Sequence, residues 1–217
     1  MRQYRRARRQ DEKQDRIDGI LTAARTRLDQ LTIQQCNLHD IATDVGITKA
    51  ALYRYFRAKE LIFVEIYRHE LTETCADLRD ALLDAPPFDA HVMSETFARH
   101  PRFCALLSQM SNALLPALAP AEREVLQQFE SNTWLPALCA LQARFSLTAQ
   151  EAEQLIHHWL IAVAGCHAIT LEALPAIETA PPLPVIPMAQ RLAEQCGYRF
   201  HQLADSQTSL AKIPLAR

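Results

Sequence analysis

The sequence predicts an all-α protein, and three observations carry that prediction. Leu, Ala, Gln, Glu and Arg are abundant while Val appears only six times and Gly only four, a balance that favours helices because those side chains lose little freedom on entering one. Apolar residues recur at helical spacing in one segment after another. Prolines and capping residues fall between those segments, where helices end. With 49% apolar residues in a chain of 217, there is material for a real core. The length suits one compact body with a small appendage, or two small domains.

The elements follow in order. Residues 11–31 place Ile17, Ile20, Leu21, Ala24, Leu28 and Leu31 on one face of an amphipathic helix. A break at Thr32–Cys36 leads to Asn37, a good N-cap, with Asp40 adding first-turn negative charge. Leu38, Ile41, Ala42 and Val45 form the stripe of a short second helix. Gly46 ends it, because the turn needs a residue that tolerates positive φ. Thr48 caps a third helix reaching about Phe56, with Leu52 and Phe56 inward. A long helix then runs from near Ala58 to just before Pro86, with Leu61, Val64, Tyr67, Leu71, Cys75, Leu78 and Leu82 in register. Helices at about 88–99 and 101–115 follow, separated at Pro101, and another spans about 121–144 with Pro136 inside it, where a kink is expected. Thr148 and Glu151 form a capping box that opens a helix over 149–171. The five prolines of 172–187 mark an extended connection, and a last helix is expected from about Pro187 to Ala204. The expected organisation is an N-terminal helix-turn-helix module with a basic arm (1–57), a helical domain (58–205) and a polar tail (206–217).

Net charge is −2, so the whole-chain balance is silent on polyanions. Its distribution is not. Residues 1–70 hold 14 Lys and Arg against 10 Asp and Glu, and the remainder holds 9 against 15. A basic front and an acidic back suggest that the front alone meets nucleic acid. The opening MRQYRRARRQ carries five arginines and no acid. Two readings stay open for it: a basic arm entering a minor groove, or a solvated tail. The six cysteines form no C-x-x-C pair, no apolar run approaches the roughly 20 residues of a membrane span, and no apolar signal segment follows the arginines. A reduced, cytoplasmic protein without membrane contact is expected. No G-x-S-x-G, P-loop, dinucleotide fingerprint or zinc motif is present, so an enzyme is not expected.

The informative stretch is Asn37–Leu61, NLHDIATDVGITKAALYRYFRAKEL. One short helix braces, Gly46 redirects the chain, and a second helix is presented to a major groove. Lys49, Ala50, Tyr53 and Arg54 occupy the outer face of that second helix. The lysine, tyrosine and arginine offer donors to phosphates or base edges, the small alanine permits close approach, and the Thr48 hydroxyl can hold a phosphate. In order and without a gap, Ile41, Ala42, Gly46, Ile47, Thr48, Leu52, Tyr53, Tyr55, Phe56, Lys59 and Leu61 resemble the signature of the TetR family of regulators. Ile20, Leu21, Ala23 and Ala24 fit the family's upstream helix. The resemblance covers about residues 14–65. It implies that Thr48, Tyr53, Tyr55 and Lys59 bind phosphates and that Lys49, Ala50 and Arg54 sit over bases; Asn37 is counted with them as a DNA-binding candidate. One departure is Thr32, which stands where the family's first helix is usually ended by glycine.

For the C-terminal half the resemblance implies an effector pocket and a homodimer interface. Phe97, Phe103, Leu107, Met110, Phe129, Trp134, His158 and Trp159 are candidates to line a cavity for a small, largely apolar ligand; plain core is the alternative. Leu155, Trp159, Ala162, Val163 and Cys166, with Leu192, Cys196 and Phe200 of the last helix, are candidates for a two-fold four-helix interface; the alternative is that both helices are ordinary core. His157, His158 and His167 lack ligand spacing, so no metal or cofactor is expected. The expected partners are a palindromic DNA duplex, a second copy and an unidentified effector. A protein partner acting on the C-terminal half, or no ligand at all, stays open as an alternative.

Overall fold

The computed structural model describes residues 2–84 and 92–171, with side chains described over 11–84, 92–165 and at 167. The helix expected near 187–204, the proline-rich connection, and Leu192, Cys196 and Phe200 lie outside the described residues. Those that are described form an all-helical chain: α1 (Arg2–Leu28), α2 (Leu38–Asp44), α3 (Lys49–Leu52), α4 (Lys59–Asp84), α5 (Val92–Arg99), α6 (Pro101–Ser108), a π-helical turn (Met110–Leu114), a 3-10 turn (Leu115–Ala117), α7 (Pro120–Phe145) and α8 (Ala149–Leu171).

Among the described residues two compact units emerge, one built from 2–70 with 110–127, the other from 71–84, 92–109 and 128–171. In the first, Ile20, Leu21 and Ala24 of α1 join Ile41 and Ala42 of α2, Leu52 of α3 and Ile62, Phe63 and Ile66 of α4 in the core. In the second, Leu71, Leu78 and Leu82 of α4, Phe97 of α5, Phe103 and Leu106 of α6, Trp134 and Leu141 of α7 and Ile156, Trp159 and Val163 of α8 are buried, and α6 packs on α8.

Helix boundaries follow local chemistry. The α7 helix ends where Ser146 turns left-handed (φ 52°) and Leu147 N–H reaches back to the Gln142 carbonyl at 3.1 Å, closing the last turn. Two residues later Thr148 and Glu151 cap each other: Glu151 Oε2 accepts from Thr148 N–H at 2.8 Å, and Thr148 Oγ1 accepts from Glu151 N–H at 3.3 Å. The expected stripe of α4 is buried except at Leu61, which is half-buried, but α4 also buries Ile62, Phe63 and Ile66 completely. A helix enclosed on two sides loses the one-faced pattern that a sequence reading seeks.

Candidate nucleic-acid interface

The site is built on the short segment from Asn37 to Phe56. Asn37 Oδ1 accepts from Asp40 N–H at 2.9 Å, and Asn37 Nδ2 donates to the Asp40 carboxylate at 2.7 Å, so α2 starts at a fixed place. Its far end closes through Ile47 N–H to the Ala42 carbonyl (2.9 Å) and Gly46 N–H to the Thr43 carbonyl (3.0 Å), with Gly46 at φ 69°. A Cβ at Gly46 would meet nothing within 4 Å. The glycine is therefore required for its backbone conformation and not for room.

Thr48 then caps α3, its Oγ1 accepting from Ala51 N–H at 3.1 Å. The helix proper is only Lys49–Leu52, shorter than the stretch to Phe56 that the sequence suggests. Helical turns continue it, with Arg54 N–H to Ala51 (3.2 Å) and Tyr55 N–H to Leu52 (2.9 Å). Leu52 is wholly buried and anchors this rod. Around it Thr48, Lys49, Ala50, Tyr53 and Arg54 are exposed, and the Lys49 ammonium lies 5.9 Å from the Tyr53 ring centroid. Polar donors thus gather on the solvent side of a segment whose opposite side is pinned.

Residues 20–66 match the family model described as bacterial regulatory proteins, tetR family. That match covers 47 of the 217 residues and lies on the helix-turn-helix module. No curated protein matches the chain. Among solved structures, the chain is similar to PfmR, a TetR family transcriptional regulator from Thermus thermophilus (19% identity, TM-score 0.48, covering 81% of this chain and 94% of that one). It is also similar to AlkX, a TetR family repressor from a Dietzia species implicated in biodegradation of n-alkanes (16% identity, TM-score 0.40, covering 85% and 94%).

Two residues of the TetR-type module are engaged differently from the expectation. Lys59 Nζ donates to the carbonyls of Ile33 (2.9 Å), Cys36 (3.1 Å) and Gln34 (3.3 Å). An ammonium has three protons, and all three are committed, so Lys59 ties down the connection between α1 and α2 instead of offering its charge to a phosphate. Asn37 likewise spends both side-chain atoms on Asp40. Tyr55 is half-buried, whereas Tyr53 is 46% exposed. Thr32, the departure from the family pattern, finds its own solution: its N–H donates to Gln35 Oε1 at 2.9 Å and its Oγ1 accepts from Gln35 N–H at 3.3 Å, making a capped turn without positive φ.

Two arginines hold the TetR-type module in ways the sequence does not announce. Arg27 of α1 grips Asp44 of α2 with two bonds (2.6 and 2.9 Å) and reaches Asp40 at 3.3 Å. The bond from Arg27 holds the Asp44 carboxyl below its ordinary range. Arg57, just past Phe56, pairs with Glu122 of α7 and donates to the Ala117 carbonyl at 3.4 Å. Glu122 also accepts from Ala119 N–H at 2.7 Å, and that bond, with Arg57 second, pulls its pKa down. A contact across 65 positions leaves no local signal in one sequence.

In the second unit, Phe97 stacks on Trp159 (5.9 Å between centroids, 12° between planes) and on Phe103 (6.0 Å, 24°), and Phe103 meets Trp134 edge-on at 6.4 Å. Of the pocket candidates, Phe103 and Trp134 are buried here, Leu107 and Phe129 half-buried, and His158 exposed on the solvent side of α8, while Met110 is buried but belongs to the first unit. His158 therefore does not line an interior. Of the interface candidates, Leu155, Trp159 and Val163 are buried within the single chain and Ala162 is half-buried; a side chain already packed inside one chain is not surface for a second copy. The Cys166 side chain lies outside the described residues. Burial pushes the Cys75 and Cys104 thiols up to about 12, so both stay protonated at neutral pH. No described helix is long and apolar enough to cross a membrane.

Proposed function

We propose that this protein is a cytoplasmic, homodimeric transcriptional regulator that reads a palindromic duplex, acting by binding and not by catalysis. Residues 1–57 would meet DNA, 58–205 would dimerise and respond to an effector, and 206–217 would form a tail. The observation that carries this reading is the exposed Thr48–Arg54 surface on a segment pinned by Leu52 and capped by Thr48, inside the TetR-family match at 20–66. Thr48 Oγ1 accepts from Ala51 and keeps its own proton to donate to a phosphate. Lys49, Tyr53 and Arg54 supply further donors, and Ala50 allows close approach to bases.

A palindrome calls for two-fold protein symmetry. A second copy would cover the solvent side of α8, where Gln154, His157, Ile161 and Gly165 fall in register and Ile161 is 58% exposed. Repression relieved by a small, largely apolar ligand is the regulatory mode we favour, supported by the aromatic rings gathered from α5, α6, α7 and α8. Ligand would shift the population between a DNA-competent and an incompetent dimer.

Sequencing of genomic fragments pulled down by the purified protein tests the reading. Enrichment of a palindromic site, lost in Lys49→Ala/Tyr53→Ala, is the expected result. Recovery of random fragments, or an intact grip on the enriched site by that double variant, removes it.

A further inference from the structure

Lys49 and Tyr53 stand one helical turn apart on the solvent side of α3, tied through the backbone by Tyr53 N–H to the Lys49 carbonyl at 3.1 Å. Side chains on a helix lean toward its N-terminus, so a residue reaches back over the one a turn before it. The Tyr53 ring does so here, with the Lys49 ammonium 5.9 Å from its centroid. That lies within the roughly 6 Å over which the negative face of a ring attracts a cation. Little else steers the lysine. Ala50 and Ala51 follow it, Gly46 precedes it by one turn, and Leu52 is turned wholly into the core. Among the described residues, no ion pair or hydrogen bond engages the Lys49 ammonium.

A lysine left to itself is a poor reader of sequence. Its flexible stem lets a point charge wander among phosphates and base edges alike, which adds affinity without preference. A ring beneath the ammonium narrows that range before DNA arrives, and ordering done in advance is not a cost of binding. The phenol hydroxyl stands at the far end of the ring and stays available to a phosphate. Ring and hydroxyl are separable by chemistry, because phenylalanine keeps the first and loses the second.

We propose that the Tyr53 ring is a positioning group for Lys49, holding the ammonium where it donates to the O6 and N7 acceptors of one guanine in the major groove. Preference for that base pair then comes from the lysine and the ring together. The proposal rests on the reading of α3 as the DNA-reading element, and gives Tyr53 a role in specificity beside any phosphate contact of its hydroxyl.

The test is fluorescence anisotropy of the full chain on a panel of duplexes: a site selected by the wild type from random duplexes, and its single base-pair replacements in both half-sites. Lys49→Met is expected to erase a preference for guanine of about tenfold at one position of each half-site, and to leave the other positions as they were. Tyr53→Leu and Tyr53→Gln are each expected to lower the preference at that same position by about 2- to 5-fold. Tyr53→Phe is expected to bind every duplex more weakly and to keep the preference. Combined with Lys49→Met, Tyr53→Leu should change no base preference further. Two ringless variants with different side chains are used, and circular dichroism checks that they fold.

Two ringless variants that keep the full preference overturn the proposal. So does a Tyr53→Phe variant that loses as much preference as they do, since the hydroxyl would then be responsible. A Lys49→Met loss that is equal on all duplexes, with the slope of log affinity against log salt lower by about 0.9, puts the lysine on a phosphate and overturns it too. In each of these cases a wild type that still prefers its selected site leaves the reading of α3 standing. A wild type that holds all duplexes alike removes that reading, and the proposal with it.

Discussion

The helix-turn-helix and the aromatic part of the second unit are held together by different physics. In the first, α2 has seven residues and α3 has four, too few to define their positions by apolar burial alone. Directional bonds do the positioning: the Asn37 and Thr48 caps, the three carbonyls on Lys59 and the two-pronged grip of Arg27 on Asp44. In the second, α7 and α8 run for 26 and 23 residues, and rings from four helices stack against one another. Directional bonds fix where donors point, which a DNA-reading surface needs. Packing fixes volume and tolerates rearrangement if volume is kept.

The contrast is best broken by removing volume from one region and bonds from the other. Phe103→Ala empties a fully buried site between Phe97 and Trp134 and is expected to cost about 3–5 kcal/mol in denaturant unfolding. The salt slope of duplex binding by the remaining native protein should not move. Lys59→Met keeps the aliphatic stem but orphans three carbonyls, for an expected loss of about 1.5–3 kcal/mol. Its salt slope should equal wild type; a fall of about 0.9 would restore Lys59 to a phosphate. Two left-handed residues sharpen the comparison further. Gly46→Ala has open space around the added methyl, so its cost, about 1–2 kcal/mol, is conformational only, and thermal unfolding reads it. Ser146→Gly is the mirror experiment and should raise stability by about 0.5–1 kcal/mol, the relief of the serine outweighing the added freedom of glycine in the unfolded chain.

What could be read in advance divides along the same line. Asn37, Gly46, Thr48 and the Thr148–Glu151 box act within three or four residues of themselves, so their residue types announce the helix ends. The exposed Thr48–Arg54 surface was legible for that reason. Contacts between distant segments were not. Nothing around Lys59 says that its ammonium meets carbonyls 23 to 26 positions earlier, and nothing around Arg57 points to Glu122. Helical periodicity assigned Leu155, Trp159 and Val163 to one side of α8 correctly, but a stripe facing a core and a stripe facing a second copy look alike in sequence. On α4 the complete burial of Ile62, Phe63 and Ile66 is hidden in the sequence, because one clear stripe masks a second.

The carboxylate of Glu122 serves two donors at once, the Ala119 backbone N–H that opens α7 and the Arg57 guanidinium that follows the Thr48–Phe56 segment. Its pKa is lower in the folded protein than in the unfolded chain, so both bonds are intact above the unfolded carboxylate range and fail together as pH falls through the depressed value. Acidification would thus undo the cap at the start of one helix and the tie to Arg57 in a single protonation, two contacts that hang on one oxygen atom.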